Sequence, residues 1–215
     1  MTHYFQHFRA VILGAPGSGK GTISSWICRD FNLAYISVGD VIRNQVKHKT
    51  PFGQEAEQYI SKGKLLPDSI VNTLVFNELH QFYYESSWLL DGYPRTLTQA
   101  QQLEKDVYLK KKQTKKIHLN SVVNLVVPDD AIIDRVKDRW IHLSSGRIYN
   151  SKFNPPKVSG KDDLTGEPLT KRDDDKPEVV AERLRSFHEQ IKPVVDYYKY
   201  ETKLILIKLN LSFFY

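Results

Sequence analysis

The stretch Gly14-Ala15-Pro16-Gly17-Ser18-Gly19-Lys20-Gly21-Thr22 constrains this chain more than any other. It follows an apolar, strand-like run, Ala10–Leu13, and precedes an amphipathic stretch, Ile23–Phe31, that reads as a helix. Strand, glycine-rich turn and helix form the setting in which G-x-x-x-x-G-K works as a phosphate-binding loop. Gly14, Gly17 and Gly19 let the backbone curl so that its N–H groups point inward at a phosphate. The helix N-terminus adds unpaired N–H groups and a positive dipole end. Lys20 supplies a full charge for the outer phosphates. Position 21 is Gly, where most such loops carry Ser or Thr for Mg²⁺, and Thr22 comes one residue late. The ion is therefore expected to ride on the nucleotide phosphates and on waters held by nearby acids, without a dedicated protein cage.

The chain has 215 residues, 40% of them hydrophobic, which suits one globular domain with room for insertions. Its single Cys28 excludes an internal disulfide framework and a cysteine-based zinc site. No apolar run is long enough to span a bilayer. The net charge of +6 fits nucleic acid, membrane or small acidic substrates such as nucleotides. Met1–Arg9 lacks acids and reads as a ragged lead-in to the first strand. The basic run Lys110–Lys116 reads as a solvated loop.

Four further apolar runs read as strands: Leu33–Ser37, Ser87–Leu90, Val122–Val127 and Leu204–Ile207. Helical stretches lie between them, which predicts a parallel five-stranded sheet flanked by helices, with ligands at its carboxyl edge. Residues 37–66 read as a small helical insertion broken at Pro51-Phe52-Gly53. Asp68 is placed to cap the helix from Ser69. Asp91 ends an apolar strand beside the phosphate loop, where an acid can organise Mg²⁺ and its waters. The helix Asp129–Arg139 would put Arg135 and Arg139 on one face at i and i+4, holding an anion between them or pairing with Asp134 and Asp138. Residues 138–175 are polar and turn-rich, with short strands such as Arg147–Tyr149, and suit a small β-rich lid. Asp175-Lys176-Pro177-Glu178 reads as a helix start with Asp175 at the N-cap, and Pro193 as a kink in that helix. The core is then 1–36, 67–137 and 176–215.

With these residues the chain resembles the adenylate kinase family over nearly its whole length. The motifs are GAPGSGKGT at Gly14–Thr22, ISVGDVIR at Ile36–Arg43, GKLLPD at Gly63–Asp68 and LLDGYPRTLTQA at Leu89–Ala100. SGRIYNSKFNPPK at Ser145–Lys157, DDLTGEPL at Asp162–Leu169 and RDDDKPEVVAERL at Arg172–Leu184 complete the set. The run RWIH at Arg139–His142 is most similar to the mitochondrial-matrix GTP:AMP phosphotransferase branch of that family.

The resemblance implies a fold, a reaction and a set of roles. The fold is the P-loop kinase core with a helical monophosphate-binding insertion and a lid. The reaction is reversible phosphoryl transfer from MgGTP or MgATP to AMP, giving ADP. Gly17, Ser18, Gly19, Lys20, Gly21 and Thr22 would hold the donor, with Arg135, Arg139, Ile148 and Tyr149. Val38, Arg43, Lys64, Leu65, Leu66, Gly92, Tyr93, Pro94, Arg95 and Gln99 would hold AMP. Gln99 would meet the adenine edge, and Arg43 and Arg95 the phosphate. Lys20, Arg95, Arg139, Arg172, Arg183 and Asp91 would be catalytic, with Arg172 and Arg183 also on the AMP side. His142, Ser145, Asp162 and Thr165 stand where some relatives hold zinc on four cysteines, and suit a hydrogen-bond network without metal. The expected cofactor is Mg²⁺ with the nucleotide. The expected partners are nucleotides alone, with no nucleic acid or membrane, and the expected state is a monomer in the mitochondrial matrix, the alternative being cytoplasm. With the lid open, Arg139, Arg172 and Arg183 are expected to lie apart in water. Val38 replaces the usual Thr or Ser and loses a hydrogen bond, and the chain after Lys208 is short. The short C-terminus leaves open a catalytically weak nucleotide-binding module, and the competing enzyme is a UMP or CMP kinase, which the long lid and Gln99 argue against. A GTP-gated switch is disfavoured by the lack of an N-K-x-D motif.

Overall fold

The computed structural model describes residues 7–82, 86–109, 119–201 and 204–208. The basic run Lys110–Lys116, the first residues of the chain and the tail past Lys208 lie outside the described residues.

Strand β1 (Arg9–Gly14) leads through the glycine-rich turn into helix α1 (Lys20–Phe31). Strand β2 (Ala34–Ser37) runs directly into α2 (Val38–Lys47), and α3 (Pro51–Ile60) and α4 (Asp68–Phe82) follow. Then come β3 (Trp88–Asp91), α5 (Leu97–Leu109), β4 (Ser121–Val126) and α6 (Asp129–Lys137). Two short strands, β5 (Arg139–Ile141) and β6 (Ile148–Asn150), precede a 3₁₀ turn at Asp173–Asp175. Helix α7 (Pro177–Tyr200) and strand β7 (Leu204–Lys208) complete the described chain. The main sheet is parallel throughout, in the order β2-β3-β1-β4-β7. This is the five-stranded sheet expected from the spacing of apolar runs.

Alternation along β1 divides the core. Val11 and Leu13 face one side, with Leu90, Val122, and Val71, Val75 and Leu79 of α4, Leu103 of α5 and Val194 and Tyr198 of α7. Ala10 and Ile12 face the other, with Leu89, Leu125 and Cys28 of α1. Helices on both faces explain why these strands are continuous apolar runs rather than alternating ones. Each fully buried aliphatic side chain contributes roughly 1.5–3 kcal/mol. A separate cluster joins Ile132 and Val136 of α6 to Val180 and Leu184 of α7 and to Ala15 of the loop.

Several boundaries differ from the sequence expectation. Pro51 does not break a helix but starts one: Thr50 caps α3 by accepting from Gly53 N at 3.0 Å, and Pro51 occupies the first turn, where its missing N–H costs nothing. Gly53 lets α3 lie against α2, since a Cβ there would stand 2.1 Å from Gln45 O. Helix α6 ends at Lys137, so Arg139 begins strand β5 and does not share a helical face with Arg135. Helix α7 starts at Pro177 with Lys176 at the cap and no side-chain cap bond, because Asp175 is engaged elsewhere. It runs through Pro193 as one element. Asp68 begins α4 itself, and its carboxylate serves Thr96 and Gln99.

Candidate active site

The site is built at the carboxyl edge of the sheet. The loop after β1 is shaped from within: Ser18 N donates to Ala15 O at 3.1 Å, and Lys20 Nζ donates to Gly14 O and Ala15 O at 2.8 Å each. Gly17 sits at φ +81°, and a Cβ there would meet Val136 Cγ2 at 2.6 Å, so α6 can press against the loop only because position 17 is glycine. Helix α1 begins at Lys20 behind Gly19 with no side-chain cap. Its first-turn N–H groups therefore face the loop interior uncapped by any side chain, as an anion site requires. Ser18 is fully buried and its hydroxyl makes no hydrogen bond among the described residues.

Cations gather over this loop. Lys20 lies near enough to Asp91, Arg95, Arg183 and Arg139 to feel all four. Burial, opposed by Asp91 and reinforced by the three guanidinium groups, lowers the Lys20 pKa to about 8. Arg135 of α6 donates from Nη1 to Ser18 O at 3.2 Å and stacks 5.6 Å from the centre of the Phe153 ring. Asp91 ends β3, in register with Ile12 of β1 and Ser37 of β2. It is 8% exposed and accepts from Tyr35 Oη at 2.9 Å.

Two carboxylates hold three arginines. Arg172 donates to both oxygens of Asp174, at 2.9 and 2.7 Å. Arg183 Nη1 donates to Asp174 O at 2.8 Å and lies 2.9 Å from Asp174 Oδ2 and 3.6 Å from Asp175 Oδ1. Arg139 makes a two-pronged contact with Asp175, its Nε at 2.7 Å from Oδ2 and its Nη2 on Oδ1. The three arginine side chains are only 12%, 8% and 18% exposed (Arg139, Arg172, Arg183). In this arrangement the three arginines lie together and mostly buried, not apart in water. Burial alone would raise the Asp174 carboxyl, but the Arg183 and Arg172 guanidinium groups overcome it and hold the group well below the usual range. Burial lowers Arg183 to about 10, with Asp174 opposing. The cationic groups around the cleft outnumber these acids, which leaves a net positive field for a polyphosphate.

The opposite wall is the α2–α3 unit and the turn after β3. Arg43 bonds Asp40 at 2.5 Å through Nη2. Burial and then the Arg172 charge hold the Arg43 guanidinium below its ordinary value. The turn at Gly146 also comes over: Asp40 Oδ1 lies 4.0 Å from where a Cβ of Gly146 would be. The Tyr93–Pro94 peptide is cis, and Arg95 Nε donates to Gly92 O at 2.8 Å. Behind this turn Gln99 is almost wholly buried. Its Oε1 accepts from Arg95 N at 2.8 Å and its Nε2 donates to Asp68 at 2.7 Å. Gln99 thus ties the Arg95 backbone to α4, and a further donor or acceptor on its amide remains for a base.

Some residues expected at the ligands also pack in the interior. Val38, Leu66 and Tyr93 belong to the main core cluster. The Tyr93 hydroxyl donates to Asn72 at 2.7 Å. Lys64 is exposed and Leu65 half-buried on the chain linking α3 to α4. Ile148 is 39% exposed, but Tyr149 is buried inside the β5–β6 hairpin segment, donating to Asp162 Oδ1 at 2.9 Å. There Asp162, its side chain fully enclosed, accepts from Arg147 at 2.8 and 2.6 Å and from Thr165 N and Oγ1 at 2.9 and 3.0 Å. The Arg147 guanidinium is the main cause that holds the Asp162 carboxyl far below the usual range. His142 Nδ1 meets Ser145 Oγ at 2.7 Å, and its Nε2 meets Glu167. The expected His142–Ser145–Asp162–Thr165 network is present; Arg147 and Glu167, which sequence reasoning missed, and Tyr149, which it assigned to the donor, complete it. Among the described residues no group of three or more His, Cys, Asp or Glu could hold a metal ion. No helix among them is long and apolar enough to cross a membrane.

Comparison with known proteins adds an independent line. Residues 12–203 match the family described as Adenylate kinase. The chain is 47% identical over 192 residues to the mitochondrial GTP:AMP phosphotransferase of Drosophila melanogaster, covering 89% of this chain and 84% of that protein. It is 45% identical over 203 residues to a protein of the same name from Saccharomyces cerevisiae, covering 93% of this chain and 88% of the relative.

Proposed function

The chain belongs to the adenylate kinase family, and we propose that it transfers a phosphoryl group reversibly from MgGTP or MgATP to AMP, giving ADP. One observation carries this reading. Lys20, Arg139, Arg172 and Arg183 converge between a phosphate-binding loop and a second wall that presents Arg43 and Arg95. Such an arrangement can hold two phosphorylated ligands end to end. The names of the relatives support GTP as donor, AMP as acceptor and a mitochondrial location; the matrix is the compartment that the family resemblance of Arg139–His142 implies.

The donor lies with its phosphates on the Gly17–Thr22 loop, under Arg135 and Arg139. AMP lies against the α2–α3 unit, with Arg43 and Arg95 on its phosphate and Gln99 behind the adenine side. Residues 37–66 act as the acceptor-binding insertion and 138–175 as the lid, mounted on the core 1–36, 67–137 and 176–215. Phosphoryl transfer of this kind needs positioning and charge stabilisation more than a strong base. Lys20, Arg139, Arg172 and Arg183 provide the charge. Asp174 and Asp175 hold the last three in place before substrate arrives, which lowers the reorganisation needed at the moment of transfer. The lid turn at Gly146 and the insertion at Asp40 close the cleft and exclude the water that would hydrolyse the donor.

Asp91 fits a nucleotide-borne Mg²⁺: it is a nearly buried carboxylate at the strand end near Lys20, and among the described residues no cluster of three or more metal-ligating side chains forms a cage. The ion, when bound, neutralises charge on the donor phosphates. The hydrogen-bonded lid needs no zinc. Both nucleotide walls come from one chain, which supports action as a monomer on free nucleotides.

The test is a coupled assay with AMP and either MgGTP or MgATP, read as ADP formed, with UMP and CMP as alternative acceptors. ADP formation with AMP as the preferred acceptor supports the reading. Absence of transfer with every pair sinks it in favour of a nucleotide-binding module.

A further inference from the structure

We infer that Tyr35 is a positioning residue for the donor site, holding Asp91 toward the metal-bearing phosphates and placing a hydroxyl beside the loop position that lacks one. The inference rests on the phosphotransferase reading above.

The geometry follows from the sheet. Tyr35 pairs in register with Leu89, and Ser37 with Asp91, across β2 and β3. Side chains two residues apart on a strand share a face, so Asp91 is on the face of Leu89, the α1 side. Tyr35 shares that face and lies one step back along the neighbouring strand. An aromatic side chain reaches such a diagonal neighbour. Its hydroxyl meets Asp91 Oδ2 at 2.9 Å.

The same hydroxyl lies at the start of α1. A Cβ on Gly21 would have Tyr35 Oη as its nearest neighbour, at 3.6 Å. Position 21 is the one where a phosphate loop usually bears a Ser or Thr hydroxyl for the ion. Here the hydroxyl comes instead from β2. In this pair the phenol donates and the Asp91 carboxylate accepts. Without that donor, Asp91 is free to turn toward Lys20, whose charge it already feels.

A tyrosine that merely braces the strand would affect stability and nothing else. A positioning residue changes how the site handles the ion. The experiment uses the full chain and its Tyr35→Phe variant, which keeps the ring and removes only the hydroxyl. Mn²⁺ binding to the protein–ATP complex is followed by electron paramagnetic resonance. ATP affinity without metal, AMP KM, and the free Mg²⁺ concentration for half-maximal transfer are measured beside it. Expected are about fivefold weaker Mn²⁺ binding and a matching rise in the Mg²⁺ midpoint, a factor typical of the net contribution of one ordinary hydrogen bond. Metal-free ATP affinity and AMP KM should stay within about twofold. In an Asp91→Asn background the Tyr35→Phe change should add nothing, because the two groups act as one unit. Unchanged or tighter Mn²⁺ binding in Tyr35→Phe overturns the inference, as does a full additional loss in the Asp91→Asn background. Lack of transfer activity in the unmodified chain would instead overturn the phosphotransferase reading, and the Mn²⁺ titration would still decide the role of Tyr35.

Discussion

Donor binding should draw a proton from solution at alkaline pH, through Lys20. In the free protein this ammonium is folded onto Gly14 O and Ala15 O. Burial is the largest cause of its shift from 10.5 to about 8; Asp91 opposes it, and Arg95, Arg183 and Arg139 add to it. Donor phosphates bring the compensating charge. If they return Lys20 to near its ordinary value, the free protein carries about 0.1 of that proton at pH 9 and the complex nearly all of it. Binding then takes up about 0.9 proton at pH 9 and about 0.1 at pH 7. Observed donor affinity should fall by nearly tenfold per pH unit above about pH 8. Calorimetric titration of MgATP in buffers of different ionisation heat, with AMP omitted, reads the uptake directly. Lys20→Met should abolish it. Uptake below about 0.2 proton at pH 9 would refute the argument. For folding, the sign reverses. A lysine whose folded pKa is lowered is a full penalty below pH 8 and none above 10.5, so the free protein's stability should rise across that window.

Arg139→Ala, Arg172→Ala and Arg183→Ala should each lower kcat by a factor on the order of 10² or more. They should also lower Tm, by an unfolding free energy on the order of 3 kcal/mol, because Asp174 or Asp175 is left buried and underpaired; a variant that keeps kcat within about threefold contradicts the assignment. Gly53→Ala should destabilise by about 1–3 kcal/mol, since the added Cβ overlaps Gln45 O, and should raise the AMP KM more than the donor KM; an unchanged melting curve would count against that close approach. Gln99→Ala should likewise raise the AMP KM selectively, by about 0.5–1.5 kcal/mol for each hydrogen bond lost; a change confined to the donor KM would misplace the acceptor wall. Chelator-washed protein should contain no stoichiometric zinc by elemental analysis, as the lid's polar positions are already engaged with one another.

The sequence by itself determined the parts of this protein that depend on local backbone chemistry. A glycine-rich turn between an apolar run and a helix can do little else than cradle an anion, and Gly17, Gly19 and Lys20 were legible for that reason. Five apolar runs separated by helical stretches implied the parallel sheet, because each run had to be buried on both faces. The motifs around Arg43, Arg95, Arg172 and Arg183 pointed to two phosphorylated ligands. Only the tertiary structure decided which side chain answers which. Asp175 looked like a helix cap four residues from nothing in particular, yet it holds Arg139, distant in sequence and brought near by the return of the hairpin segment. Asp68 looked like another cap and proved to be the anchor of Gln99. Tyr149 and Tyr93 carry motif positions, and the structure shows their packing partners, Asp162 and the main core. Tyr35 carried no signal at all, because its partner Asp91 lies on a neighbouring strand whose register the sequence does not state. Caps, turns and periodicity are settled within a few residues of backbone. A carboxylate's choice among several cations is settled by distance and burial, and those exist only once the sheet, the hairpins and α7 have come together.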